Sequence, residues 1–190
     1  ISLYADFRTA GITETYPRRS LRGEYKERPD LSEDWDFATY GARKALCEDA
    51  VTAHFGGPAT FLRACGIMGG GMSDPSKWVW PARLATRPVC AAAGDGSDPI
   101  QVVDRRDIAD FAIRCIEDRL AGAFNVTGAR LPFRQALEDT RRVVGGTGRI
   151  VWTGEPGRAA LGPLPGAAPL ARAPGFASVD SAKARAAGLA

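Results

Sequence analysis

Long apolar runs, clustered histidines and closely spaced cysteine pairs are all missing from this sequence. No apolar stretch reaches the ~18 residues that a bilayer span requires, and the N-terminus has no basic segment leading into an apolar one, so neither a membrane span nor a secretory signal is expected. The four cysteines, Cys47, Cys65, Cys90 and Cys115, show no C-x-x-C spacing, and the single histidine, His54, has no clustered partners, which removes the usual metal sites. Set among apolar neighbours, the cysteines read as reduced core residues of a cytoplasmic protein. Lysine is scarce, standing only at Lys26, Lys44, Lys77 and Lys183. The formal net charge is +3, and Arg18-Arg19, Arg105-Arg106 and Arg141-Arg142 are isolated doublets, so the chain lacks the basic stripe of a nucleic-acid binder. The wealth of Arg, Ala, Gly and Pro suits a GC-rich bacterial genome.

What remains is ordinary for a folded α/β protein. The 190 residues are 45% hydrophobic and 25% charged, enough for one substantial core. Residues 1 to 5 read as the end of a strand, followed by a long polar connection over 8 to 37. A helix is expected over 38 to 55, with Ala42, Ala45, Leu46, Ala50 and Val51 on its apolar side. His54 would meet the negative end of its dipole, and Gly56-Gly57-Pro58 would end it. A strand over 60 to 65, a helix opened by Pro75 and running to about Ala85, and short strands near 88 to 93 and 100 to 103 follow. Asp104 and Asp107 have the spacing of an N-cap and a third helical position. The helix they begin leads to a strand over 123 to 127 and a further helix from Pro132 to about Val144. Residues 154 to 175, rich in Gly, Pro and Ala, read as a linker, and Ser181 as the cap of a short closing helix.

Chemistry concentrates in Tyr40-Gly41-Ala42-Arg43-Lys44. A Tyr and a Lys four apart on a helix share one face. A nearby ammonium favours the phenolate, which makes the phenol usable as an acid or base. Spacing alone leaves the alternative of a solvated helix face open.

The surrounding residues resemble the extended short-chain dehydrogenase/reductase family, the NAD-dependent epimerase/dehydratase group. The likeness rests on Ile1 to Phe7 with Thr13-Glu14, on Tyr40 to Glu48 (YGARKALCE), on Phe61 to Gly69, and on Ile100 to Asp110 with Ala123 to Gly128. It implies an α/β fold, the C-terminal half of a doubly wound, Rossmann-like parallel sheet with a small substrate lobe. Residues 1–66 would belong to the Rossmann-like part, and 67–190 to the substrate lobe interleaved with late sheet elements. The same resemblance makes Tyr40 the proton carrier, and gives Lys44 the tasks of lowering the Tyr pKa and holding the nicotinamide ribose. Ala64 and Gly66 would touch the nicotinamide end, while Lys77, Trp80, Arg83, Gln101 and Arg105 are candidates for the substrate pocket. The serine that completes such a site falls one place before Ile1, and Ser2 does not stand in for it.

A glycine fingerprint for the dinucleotide pyrophosphate should precede the Tyr/Lys helix. None is present, and Gly66 to Gly71 lies on the wrong side of Tyr40, where it reads as a loop. The chain opens with Ile1 and reads as the C-terminal portion of a longer product. Its expected activity is NAD(P)-dependent oxidoreductase or epimerase chemistry on a small polar, sugar-like or natural-product substrate, with NAD or NADP bound mainly by a half outside this chain. Its expected partner is that missing half or a second copy across the open sheet edge. The alternative is a cofactor-less relative that serves as a scaffold or works through Tyr40 alone.

Overall fold

The computed structural model describes residues 1–20, 37–71, 79–161 and 177–190. In chain order the elements are α1 (Phe37–Phe55), β1 (Thr60–Ala64), β2 (Ile67–Met68), α2 (Val79–Thr86), β3 (Val89–Ala92), β4 (Pro99–Ile100) and β5 (Val103–Asp104). They continue with α3 (Arg105–Glu117), β6 (Gly122–Val126), β7 (Leu131–Pro132), α4 (Phe133–Val143), β8 (Arg149–Trp152), α5 (Gly154–Leu161) and α6 (Ala182–Ala186). The chain divides into two units, the first formed by Ile1–Gly66, Val103–Thr127 and Ala173–Ala190, the second by Ile67–Val102 and Gly128–Arg172.

The first unit is built on a parallel strand pair. β1 runs beside β6 with Thr60 opposite Gly122 and Ala64 opposite Val126. Parallel neighbours need a crossover, and α3 supplies it before β6. Its buried Phe111 and Cys115 pack with Val103, Phe124, Val126, Ala184 and Leu189. The rings of Phe111 and Phe124 meet edge to face at 5.6 Å, and burying each contributes on the order of 2 kcal/mol. A second cluster joins Leu3, Tyr4, Ile12, Ala45 and Val179, so the two ends of the chain share one core. Ile12 bridges Val179 in parallel, and this returning segment covers the far side of β6, where Glu14 Oε1 accepts from the Asn125 backbone N–H at 2.7 Å.

In the second unit β3 pairs in parallel with β8, and β4 antiparallel with β7. Leu84, Cys90, Ala92, Phe133 and Leu137 form its core. The chain is thus α/β with parallel strand pairs.

Several local expectations change. Ile1 to Ala5 is not a strand: it turns, Tyr4 makes an isolated bridge to Arg18, and the Ile1 amine donates to the Ala64 carbonyl at 3.0 Å. On α1, Ala42 and Ala45 are buried, but Leu46 is 46% exposed and Ala50 and Cys47 also face solvent, because α1 packs through a narrower stripe than its apolar residues suggest. Part of the expected linker, Gly154–Leu161, is helix; its remainder and Pro75 lie outside the described residues. Ser181 makes no side-chain cap. The Asp180 carboxylate does so instead, accepting from the Ala182 N–H at 2.8 Å.

Asp104 caps α3 as its position suggests, accepting from the Arg106 backbone N–H at 2.8 Å. Hydrogen bonds from the Arg106 side chain and backbone hold its carboxyl at about 2, below the ordinary 3.8. A carboxyl lowered on folding stabilises the fold above its unfolded value and loses that contribution as the pH falls through its folded value. The first turn of α3 is therefore expected to loosen between pH 3.8 and about 2. Amide exchange at Arg106 should accelerate there, less so in high salt because the carboxylate is partly exposed and its partner Arg106 largely so, and a pH-independent protection factor would contradict it.

Candidate active site

α1 carries Tyr40 and Lys44. Gly56 ends the helix with φ +59°, and the His54 ring Nδ1 lies 2.8 Å from the Ala50 carbonyl oxygen. Its seat against the N-terminal segment is set by close approach: a Cβ on Gly41 would fall 2.0 Å from the Ser2 carbonyl oxygen. Only glycine lets α1 press its backbone against the N-terminal segment, one residue after Tyr40. Tyr40 is half-buried and Lys44 exposed, and the Lys44 ammonium lies 5.6 Å from the centre of the Tyr40 ring, within cation–π range. The i,i+4 spacing thus sets the Lys44 ammonium on the same helix face as the Tyr40 ring.

Beneath the pair lies a buried polar network that sequence reasoning missed. Arg63, at the core of β1, is 6% exposed. Its Nε and Nη2 donate to Glu48 Oε1 and Oε2 at 2.9 and 2.7 Å. Nη1 donates to the Tyr4 hydroxyl at 3.1 Å and to the Glu14 carbonyl at 2.9 Å. The guanidinium also lies 5.2 Å from the centre of the Tyr4 ring. Burial pulls the Arg63 guanidinium down, but its bonds to Glu48 and Tyr4 outweigh this and hold it above its ordinary value. Burial pushes the Tyr4 phenol up despite the opposing bond from Arg63. The Tyr4 hydroxyl donates to Asn125 Oδ1 at 2.5 Å, and Arg18 adds outer contacts to Glu48 at 3.3 Å and Asp49 at 2.7 Å. Removing one member of a buried ion pair of this kind costs about 3–5 kcal/mol, chiefly because the other charge is left without compensation. The available signal was an arginine inside the apolar run Thr60–Ala64.

The carboxyl ends of parallel strands are where open α/β sheets bind ligands. Here β1 ends at Ala64, and Gly66 turns away with φ +57°. β6 ends at Val126, and the next residue, Thr127, is buried with a hydroxyl that has no hydrogen-bond partner. That hydroxyl is a reserve donor and acceptor for a ligand or a water, and nothing in the spacing of the sequence marked it.

The remaining pocket candidates are dispersed. Arg105 is the exposed first residue of α3, in the first unit. Trp80, Arg83 and Gln101 belong to the second unit. There Trp80 packs edge-on against Phe133 at 5.8 Å, with the Arg83 guanidinium 5.7 Å from the centre of its ring. Gln101 is buried and donates from Nε2 to the Gly128 carbonyl at 3.2 Å. Lys77 lies outside the described residues. The cysteines are free, Cys47 exposed and Cys90 and Cys115 buried, which corrects the core placement of Cys47. Among the described residues no group of three His, Cys, Asp or Glu side chains is poised for a metal, and no helix is long and apolar enough to cross a membrane.

No protein-family model and no curated protein matches the sequence. Solved structures do. UDP-N-acetylglucosamine 4-epimerase from Bacillus cereus aligns with 97% of this chain and 54% of its own at 15% identity and a TM-score of 0.63. dTDP-4-dehydrorhamnose reductase from Bacillus anthracis, solved in complex with NADP, aligns with 100% of this chain and 57% of its own at 15% identity and a TM-score of 0.64. UDP-glucuronic acid 4-epimerase from Bacillus cereus, solved with NAD, gives 97%, 51%, 15% and 0.55 in the same order. The chain spans little more than half the length of these enzymes. It shares, over that span, the Rossmann-like α/β fold of these epimerases and this reductase.

Proposed function

We propose that this chain supplies the acid–base half of an NAD(P)-dependent oxidoreductase or epimerase that acts on a nucleotide-linked sugar. The observation that carries the reading is the Lys44 ammonium 5.6 Å from the Tyr40 ring centre on α1. The names of the fold neighbours, two sugar-nucleotide epimerases and a sugar-nucleotide reductase, support the substrate class. The bound dinucleotide supplies hydride transfer. Tyr40 moves a proton at its phenolic oxygen to or from the substrate oxygen. The exposed Lys44 ammonium would hold the nicotinamide ribose. Gly66, with its left-handed backbone beside the end of β1, permits close approach of the nicotinamide end, and the unpartnered Thr127 hydroxyl suits a polar atom there.

The pyrophosphate requires a glycine turn at a helix N-terminus, which the sequence before α1 does not contain. On this reading a segment with that turn, from outside these residues, is the expected partner, seated along β1, which pairs only with β6 among the described residues. Self-association across that edge is the form expected of the chain on its own. Calorimetric titration of the 190-residue chain with NAD(H) and NADP(H), beside light scattering, tests this division of labour. Weak dinucleotide binding and an oligomer are expected; tight binding by a monomer overturns it. The full gene product, incubated with NAD(P) and UDP- or dTDP-linked hexoses, should change nicotinamide absorbance or yield a C4 epimer detectable by NMR. Loaded enzyme inert to every such sugar would remove the substrate class.

A further inference from the structure

We propose that Arg63 and Glu48 are positioning residues, a buried clamp that fixes the rotation of α1 and thereby the presentation of Tyr40 and Lys44; this rests on the acid–base reading of that pair. Tyr40, Lys44 and Glu48 follow at intervals of four, so one helical face carries all three. A helix turns about 100° per residue, and a modest rotation of α1 would carry Tyr40 and Lys44 off the face they occupy. Apolar packing resists such a rotation only weakly here, because the buried contacts of α1 include the small side chains of Ala42 and Ala45 and its neighbour Leu46 faces solvent.

The Arg63 fork resists it directionally. Both carboxylate oxygens of Glu48 are taken by Nε and Nη2 of the same guanidinium, at 2.9 and 2.7 Å, and two parallel bonds between planar groups specify orientation as well as distance. The other end of the clamp cannot drift. Arg63 lies in the middle of β1, paired to β6 with Arg63 opposite Asn125, and its third nitrogen is held by the Tyr4 hydroxyl and the Glu14 carbonyl. The strand pair is therefore tied to the functional face of α1 through one side-chain pair. Arg18 also holds α1, reaching Glu48 at 3.3 Å and Asp49 at 2.7 Å, but its side chain is 37% exposed and that of Asp49 54%, so water competes with these bonds and they contribute less direction.

The test reads helix orientation independently of turnover. The sequence contains 4 tyrosines, so a chain labelled with ring-13C tyrosine gives a spectrum in which Tyr40→Phe assigns the Tyr40 signal. Lys44→Met defines where that signal moves when the ammonium leaves the ring. In Glu48→Gln, which keeps size and removes the charge-assisted fork, the Tyr40 signal should move towards the Lys44→Met position. The full gene product should lose ~10-fold or more in kcat with little change in substrate KM, since misorientation affects the reacting geometry more than binding. A folded Glu48→Gln protein with the Tyr40 signal unmoved and kcat unchanged overturns the proposal. Arg63→Met combined with Glu48→Met gives a second route, because apolar replacement of a buried pair commonly preserves folding; the same displacement is expected, and an unmoved signal overturns the proposal equally. The two readings separate cleanly. A Tyr40 signal displaced in Glu48→Gln, in a protein whose turnover survives Tyr40→Phe, would retain the clamp and dismiss the acid–base role.

Discussion

Replacing Tyr40 by Phe is expected to lower turnover of the full gene product by ~10²-fold or more while leaving the fold intact. The substitution retains the ring and its packing on α1, and with them the cation–ring contact to Lys44. Only the hydroxyl is lost, and with it the group proposed to move a proton between protein and substrate oxygen. Lys44→Met should behave differently. It removes a charge from an exposed position, so stability is scarcely affected, but dinucleotide KM should rise along with the fall in kcat because one side chain serves both ribose and phenol. Steady-state kinetics on the two variants, each with a melting curve, distinguish these patterns. Turnover at the unsubstituted rate in a folded Tyr40→Phe protein would remove Tyr40 from the mechanism.

The features legible in the sequence are those written locally. A helix over α1, the Asp104 cap of α3 and the strands β1 and β6 follow from apolar periodicity, short polar side chains and glycine stops within a few residues of each element. Tyr40 and Lys44 were legible because i,i+4 spacing is itself a statement about helix geometry. β7, β8 and α5 were not. Leu131–Pro132 is a strand only because Pro99–Ile100 lies beside it, and Gly154–Leu161 is a helix in spite of Gly154, Pro156 and Gly157. At β7 tertiary pairing overrides local preference. The network beneath the site was hidden for the same reason: Tyr4 and Asn125 are 121 residues apart, and Arg63 is 15 from Glu48. Leu46 and Cys47 misled because an apolar residue on a helix states a preference for burial without naming a partner.

Asn125→Leu tests that network where it is most deeply buried, and it is expected to destabilise the chain by about 2–6 kcal/mol. Leucine branches as asparagine does, so no cavity opens, and its bulkier methyl groups add an overpacking cost to the loss of polar satisfaction. Asn125 is fully buried. Its Oδ1 accepts from the Tyr4 hydroxyl at 2.5 Å, and its Nδ2 donates to the carbonyls of Ile12 at 3.1 Å and Asp180 at 2.9 Å. The Ile12 carbonyl keeps a second partner in the Asp180 N–H at 2.9 Å. The Tyr4 hydroxyl, by contrast, loses its acceptor, and the Asp180 carbonyl loses a donor in a part-buried setting. Each group left short of a partner costs roughly 1–3 kcal/mol, which sums to the range expected. Asn125→Asp should be no milder, because it turns the Nδ2 donor into a carboxylate oxygen facing two carbonyl oxygens. Since a domain of this size retains only about 5–15 kcal/mol in total, urea unfolding should show a much lower midpoint for both variants. The segments at 12 and 180, which Asn125 ties to β6, should exchange their amide hydrogens first. An unfolding midpoint unchanged in Asn125→Leu would mean that the two ends of the chain are held to the strand pair by apolar packing alone.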